Sequence, residues 1–140
     1  LRILGLDVGE KTVGVAISDP LGLTAQGVKT IRRTGSCHED VRSIEELCQQ
    51  YEVDEIVVGL PKHMNNTRGL SAKRSEAFAE ALRKGLGVTV VTRDERLSSW
   101  AAEQALIQAD VSRAGRKRVI DKVAAQIILQ GYLDSRRTSS

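Results

Sequence analysis

The stretch "GLDVGEKTVGVAISD", Gly5 to Asp19, decides the reading of the fold. It continues a run, Arg2 to Val8, that is apolar on both faces, the pattern of a strand in the middle of a sheet. Gly9-Glu10-Lys11 reads as a tight turn. Thr12 to Ser18 then alternates Val13, Val15 and Ile17, as a hairpin partner does. Gly14 has no side chain in mid-strand, which marks a close backbone approach. One residue breaks the pattern. Asp7 is a carboxylate near the end of an otherwise apolar strand.

Outward from this hairpin, Leu23 to Ile31 is a weaker third strand. Glu39 to Tyr51 is a helix with Val41, Ile44, Leu47, Cys48 and Tyr51 on one face. "EIVVGL", Glu55 to Leu60, is a short buried strand closed by Pro61. "KHMNNTRG", Lys62 to Gly69, is polar and turn-rich and reads as a loop. Ser71 to Lys84 is a second helix, with Ala77, Phe78, Ala81 and Leu82 inward and Gly85 as its stop. "VTVVT", Val88 to Thr92, is another buried strand. Ser98 or Ser99 caps a helix to about Ala109. A basic link, "SRAGRKR", leads to a last helix, Val119 to Leu133, and the tail "SRRTSS" is expected to fray. Three early strands followed by alternating helices and strands give an α/β domain with a mixed five-stranded sheet flanked by helices.

The 140 residues suit one domain, 1–140, and no repeat or linker divides them. Hydrophobic residues make up 41% and aromatic residues 3%, so Val, Ile, Leu and Ala must build the core. No stretch approaches the roughly 18 apolar residues of a membrane span. Arg2 is followed by only a short apolar run before Asp7, which does not read as a secretory signal. Cys37 and Cys48 form no C-x-x-C pair, and the expectation is two reduced thiols in a cytoplasmic protein. The net charge of +3 favours an anionic partner.

Three carboxylates stand out for one physical reason. Asp7 and Glu95 each fall at the C-terminal end of a strand, where ligands collect in α/β sheets. If the two strands are parallel neighbours, the acids converge. Asp121 projects between Ala124, Ala125 and Ile128, on the apolar face of its helix and near the helix's N-terminal end. A lone carboxylate there is costly without a partner or a metal. Hard oxygen ligands of this kind suit Mg²⁺ or Mn²⁺. Each acid also has an ordinary reading. Asp7 is a turn former before Gly9, Glu95 pairs with Arg93 or Arg96, and Asp121 complements a helix dipole. Around Asp121 lie Arg113, Arg116, Lys117, Arg118 and Lys122, a cluster that is either a solvated face or a phosphate grip. Cations that hold phosphates beside acids that hold a metal are what phosphodiester cleavage requires.

Four blocks carry a resemblance: "RILGLDVGEKTVGVAISD", "VVGLPKHMNNTRG", "RDERLSSWAAE" and "ADVSRAGRKRVIDKVAAQIILQGYLDS". In order and over nearly the whole chain, they resemble the YqgF (RuvX) family. The last block is the most specific. The family is ribonuclease H-like, and its members are described as Holliday junction resolvases or as nucleases maturing the small-subunit ribosomal RNA precursor. The resemblance implies Asp7 in "LDVG", Glu95 in "DERL" and Asp121 in "VIDK" as catalytic and metal-binding acids. Relatives of this fold often carry two acids one turn apart on the last helix. Here that second position is Ala124, and Asp94 is the nearest fourth acid. The expected activity is metal-dependent cleavage of structured nucleic acid, precursor 16S rRNA first. Three rivals stand beside it. One is a DNA junction resolvase, which needs a two-fold dimer; nothing in the sequence reveals a dimer surface. Another is an actin-like ATP-binding protein, which needs two such domains. The third is a non-catalytic nucleic-acid-binding factor, against which scarce aromatics argue where single strands are concerned. His63 is a lesser proton-transfer candidate in the polar loop.

Overall fold

In the computed structural model of the chain the backbone is described for residues 2–60, 66–94 and 113–139, and side chains for 2–60, 73–93 and 123–136. The chain runs β1 (Arg2–Val8), β2 (Thr12–Ser18), β3 (Ala25–Arg32), α1 (Cys37–Tyr51), β4 (Val53–Leu60), α2 (Asn66–Gly85), β5 (Thr89–Asp94) and α3 (Arg113–Ser139). The strand order is β3-β2-β1-β4-β5. β1 is antiparallel to β2, and β2 to β3. β4 is parallel to β1, and β5 to β4. The mixed five-stranded sheet with β1 at its centre is the architecture that the two-sided apolar pattern predicts.

The pleat of β1 divides its residues between two layers. Leu4, Leu6 and Val8 join Ile44 and Leu47 of α1 and Phe78 and Leu82 of α2 on one face. Ile3 points to the other face, where it packs with Ala16, Val57, and Ala125, Leu129 and Leu133 of α3. Gly5 shares that face. A Cβ there would lie 2.7 Å from the Leu129 Cβ and 3.2 Å from the Ala125 carbonyl. Gly59 of β4 is similar, since a Cβ on it would run into Ile128 Cδ1. α3 therefore lies closer to the sheet than any side chain at these positions permits.

Local signals set the ends of α1. The Ser36 side chain accepts from the Glu39 N–H at 3.4 Å, as an N-cap does. Glu52, in the left-handed region at φ 55°, closes the other end. Tyr132 and Arg136 anchor the far end of α3 on β4. The Tyr132 hydroxyl donates to Glu55, and Arg136 Nη1 lies 3.5 Å from the same carboxylate. Burial pushes the Tyr132 phenol up, and its bond to Glu55 adds to the shift. Both cysteines are free. Cys48 is buried, and its thiol is pushed up to about 11, first by burial and then by Glu45. Among the described residues no helix is long and apolar enough to cross a membrane.

Several expected boundaries move. Residues 66–69 belong to α2 and not to a loop, and 113–118 belong to α3 and not to a link before it. The tail is helical to Ser139. Each misreading treats polar composition as irregular structure; Arg and Lys in 113–118 are good helix formers, and 66–69 and the tail extend helices established in better-forming sequence. The third strand begins at Ala25, because Leu23 and Thr24 are held in a turn by their N–H groups donating to Asp19 Oδ1 at 2.7 and 2.9 Å. In α2 the buried positions are Ser75, Phe78, Ala79 and Leu82, while Ala77 is exposed. The helix expected from Ser98 or Ser99 to Ala109 lies outside the described residues.

The glycine contact is testable. Gly5→Ala drives a methyl group into the α3 backbone and is expected to cost about 1–3 kcal/mol, the usual range for overpacking. Urea unfolding measures it, and a variant as stable as the parent would show that α3 is free to shift outward.

Candidate functional site

β1, β4 and β5 run the same way, so Val8, Leu60 and Asp94 end on one edge of the sheet. In sheets of this kind that edge is where ligands bind. Asp7 stands there, half-buried, one residue before β1 ends. By the pleat it shares the α3 face with Ile3 and Gly5, opposite to Leu6 and Val8. Its partner on β2 is Gly14. On β4 the position after Val58, the partner of Leu6, is Gly59. Asp7 thus has glycine at the neighbouring position on both flanking strands, and over Gly59 the space is taken by the Ile128 side chain.

α3 runs back along β1. Tyr132 reaches Glu55, the partner of Ile3, whereas Ala125 and Leu129 stand over Gly5. One strand repeat, about 6.6 Å, leads from Gly5 to Asp7. One helical turn, about 6 Å, leads from Ala125 to position 121. The two backbones bring Asp7 and Asp121 to the same end of the β1–α3 contact. Glu95 follows Asp94, the last residue of β5, and lies outside the described residues, as does His63. β1 and β5 are parallel but are not neighbours, because β4 stands between them. Two strand spacings, about 10 Å, separate their axes. Convergence of Asp7 and Glu95 would have to cross β4, where Gly59 presents no side chain. Among the described residues no three His, Cys, Asp or Glu side chains group as a metal site.

The cluster Arg113, Arg116, Lys117, Arg118 and Lys122 belongs to α3 itself. Lys117 and Arg118 precede Asp121 by four and three positions in the sequence. Arg93, a possible partner for Glu95 in the sequence, donates to Ser135 Oγ at 3.1 Å.

The sequence gives little sign of a further charged pair beside this edge. Asp40, in the first turn of α1, is 3% exposed. Its Oδ2 accepts from Arg33 Nε at 3.2 Å, and its Oδ1 accepts from the Thr34 N–H and hydroxyl, each at 3.0 Å. Burial pushes this carboxyl up, but the Thr34 N–H, the Arg33 guanidinium and the Thr34 hydroxyl together outweigh it and hold the pKa below its ordinary value. Arg33 continues to the Gly9 carbonyl, donating from Nη1 at 3.0 Å, and lies over the Phe78 ring at 5.2 Å. The one sequence signal is the acid itself, four residues after the Ser36 cap, and it reads as an ordinary N-terminal helix charge.

The family model described as "RuvX: Holliday junction resolvase" matches residues 1–135. A relative from Clostridium tetani, named "Putative pre-16S rRNA nuclease", is 55% identical over 135 residues, covering 96% of this chain and 97% of its own. One of the same name from Clostridium acetobutylicum is 53% identical over 135 residues, covering 96% and 99%. Among solved structures, T. thermophilus RuvC in complex with Holliday junction substrate superposes with a TM-score of 0.60 at 16% identity, covering 98% of this chain and 96% of that one. Fowlpox virus resolvase in complex with Holliday junction DNA gives 0.57 at 14%, covering 97% and 99%. These last two likenesses are of fold, and that fold is the ribonuclease H-like one.

Asp40 is ionised in the folded protein to a lower pH than in the unfolded chain. Its contribution to stability is complete above the ordinary carboxylate range and is lost as the pH falls through the lower folded value. Asp40→Asn is expected to cost about 2–3 kcal/mol near neutral pH, as for a hydrogen-bonded charge. Urea unfolding of both proteins at stepped pH should show this gap shrinking below roughly pH 4. A gap that stays constant into acid would mean that Asp40 is not held as a carboxylate.

Proposed function

The chain belongs to the RuvX family, and on that premise we propose that it is a metal-dependent endonuclease cleaving phosphodiester bonds in precursor 16S rRNA, working as one domain over 1–140. The observation that carries the reading is Asp7 near the C-terminal end of the central strand of a ribonuclease H-like sheet, with glycine at the neighbouring position on β2 and on β4. The relatives above 50% identity favour the rRNA substrate. The family model's own description favours branched DNA, the second reading.

Asp7, Glu95 and Asp121 are the proposed acidic set. Their donor chemistry, hard carboxylate oxygen throughout, fits Mg²⁺ or Mn²⁺. The chemistry that such an ion supplies when bound is activation of the attacking water and stabilisation of charge on the phosphoryl oxygens. The chain's own residues do the rest. Arg113, Arg116, Lys117, Arg118 and Lys122 hold the phosphate backbone through charge that is indifferent to sequence. Asp7 is carried by the central strand, a rigid element, so little ordering of its backbone remains for the moment of reaction.

Labelled precursor rRNA and a four-way DNA junction, each incubated with Mg²⁺, Mn²⁺ or EDTA, test activity and substrate together. Cleavage of the RNA with either ion and loss of it in EDTA are expected. Asp7→Asn keeps size and removes the charge, so it should abolish cleavage while binding persists. Parent-like cleavage by this variant would return Asp7 to a turn former. Binding by both proteins with cleavage by neither would make the chain a binding factor.

Replacing Arg116, Lys117 and Arg118 with Ala should weaken affinity for the same RNA and flatten its dependence on salt. Each lost phosphate contact lowers the slope of log K against log salt by about 0.7–0.9. An unchanged slope would return these residues to the class of solvated charges.

A further inference from the structure

The Arg33–Asp40 pair lies outside the acidic set and outside the basic cluster of α3. We infer that it is a positioning device that fixes the Gly9–Lys11 turn and, through it, the end of β1 that carries Asp7. The link to catalysis rests on the nuclease reading above; the bracing of the turn does not.

The chain leaves the sheet two residues after Asp7, and three contacts define how it leaves. The Gly9 N–H donates to the Thr12 carbonyl at 2.8 Å, and the Arg33 N–H donates to the Lys11 carbonyl at 2.8 Å. Arg33 Nη1 donates to the Gly9 carbonyl at 3.0 Å. Space is short as well, since a Cβ on Gly9 would lie 3.0 Å from the Thr12 carbonyl. The guanidinium that grips Gly9 is itself held, by Asp40 through Nε and by the Phe78 ring beneath it. One side chain thus ties the turn to both α1 and α2.

Asp40 gives the clue to purpose. At 3% exposure it is out of reach of any ligand, and both its oxygens are spent on residues 33 and 34. A buried ion pair is a poor source of stability, because its desolvation offsets its attraction; apolar residues of similar volume often serve as well or better. What the charged pair adds is direction. The planar fork of Arg33 can bond Asp40 and Gly9 only in one orientation, which fixes the Gly9 carbonyl and the backbone leading into it. A displacement of about 1 Å in a catalytic group can cost about a hundredfold in rate, so a constraint two residues from Asp7 acts where accuracy matters.

The test compares the full chain with an Arg33→Met/Asp40→Leu double variant, which keeps volume and removes the fork, and with Arg33→Lys, which keeps charge alone. Amide hydrogen exchange is followed at Gly9 and Thr12, alongside RNA affinity and single-turnover cleavage with Mg²⁺. The double variant should fold and bind RNA as the parent does, lose protection at the Gly9 amide, and cleave about 10–100-fold more slowly at saturating enzyme. Arg33→Lys should lie between the two. If the double variant does not fold, Asp40→Asn takes its place under the same criteria. Parent-like protection at Gly9 would overturn the inference, and so would lost protection with an unchanged cleavage rate. If the parent cleaves nothing, the nuclease reading fails, and exchange at Gly9 still decides whether the pair braces the turn.

Discussion

The close seating of α3 on the sheet is the contact on which the rest of the arrangement depends. Gly5 and Gly59 leave two hollows in adjacent strands, and Leu129 and Ile128 occupy them. Ala124 and Ala125, both fully buried, bring the helix backbone in behind those side chains. The fit is specific in register as well as in depth. A shift of one residue along α3 would turn each of these side chains by about 100° away from its hollow. Because the hollows lie on β1 and β4, the same fit determines which helix position comes level with Asp7.

The two faces of the sheet are consequently unequal. The side under α1 and α2 is filled by large residues, Leu4, Leu6, Ile44, Phe78 and Leu82, each at most 1% exposed. The α3 side sets Gly5, Ala16, Gly59 and Ala125 among larger residues, Ile3, Val57, Leu129 and Leu133. At its glycines this face gives up side-chain area in return for closeness, and it is the face on which Asp7 stands. A side chain at position 59 would collide with Ile128 and push α3 away from the sheet.

What could be read from the sequence follows from how local each cause is. β1, β2 and β4 were legible because two-sided apolar runs and strict alternation leave few alternatives. Asp7 was legible because a carboxylate within such a run is costly. The polar ends of α2 and α3 were not, since "NNTRG" and "RAGRKR" look like loops by composition, and helical continuation from a well-packed segment decides them. The relation of Asp7 to Glu95 was not legible either. It depends on strand order, and the insertion of β4 between β1 and β5 is a tertiary choice. Arg33 and Asp40 were missed for a similar reason. Their burial is created by Phe78, thirty-eight positions after Asp40 in the chain, and by the Gly9 carbonyl.

α3 joins two kinds of surface on one rigid rod. From Val123 to Leu133 it is embedded in the sheet, and Tyr132 and Arg136 pin its far end to Glu55. From Arg113 to Lys122 it carries five cations. In the proposed reading this resolves an electrostatic conflict. Carboxylates at the sheet edge repel a polyanion, and at about 4 Å such a repulsion between unit charges is roughly 1 kcal/mol even in water and several-fold more where water is excluded. Cations on the same helix as Asp121 offset that repulsion. Because the cations and Asp121 belong to the same helix, and that helix is keyed into Gly5 and Gly59, the proposed phosphate grip and one proposed ligand share a backbone that packing against the sheet holds in register.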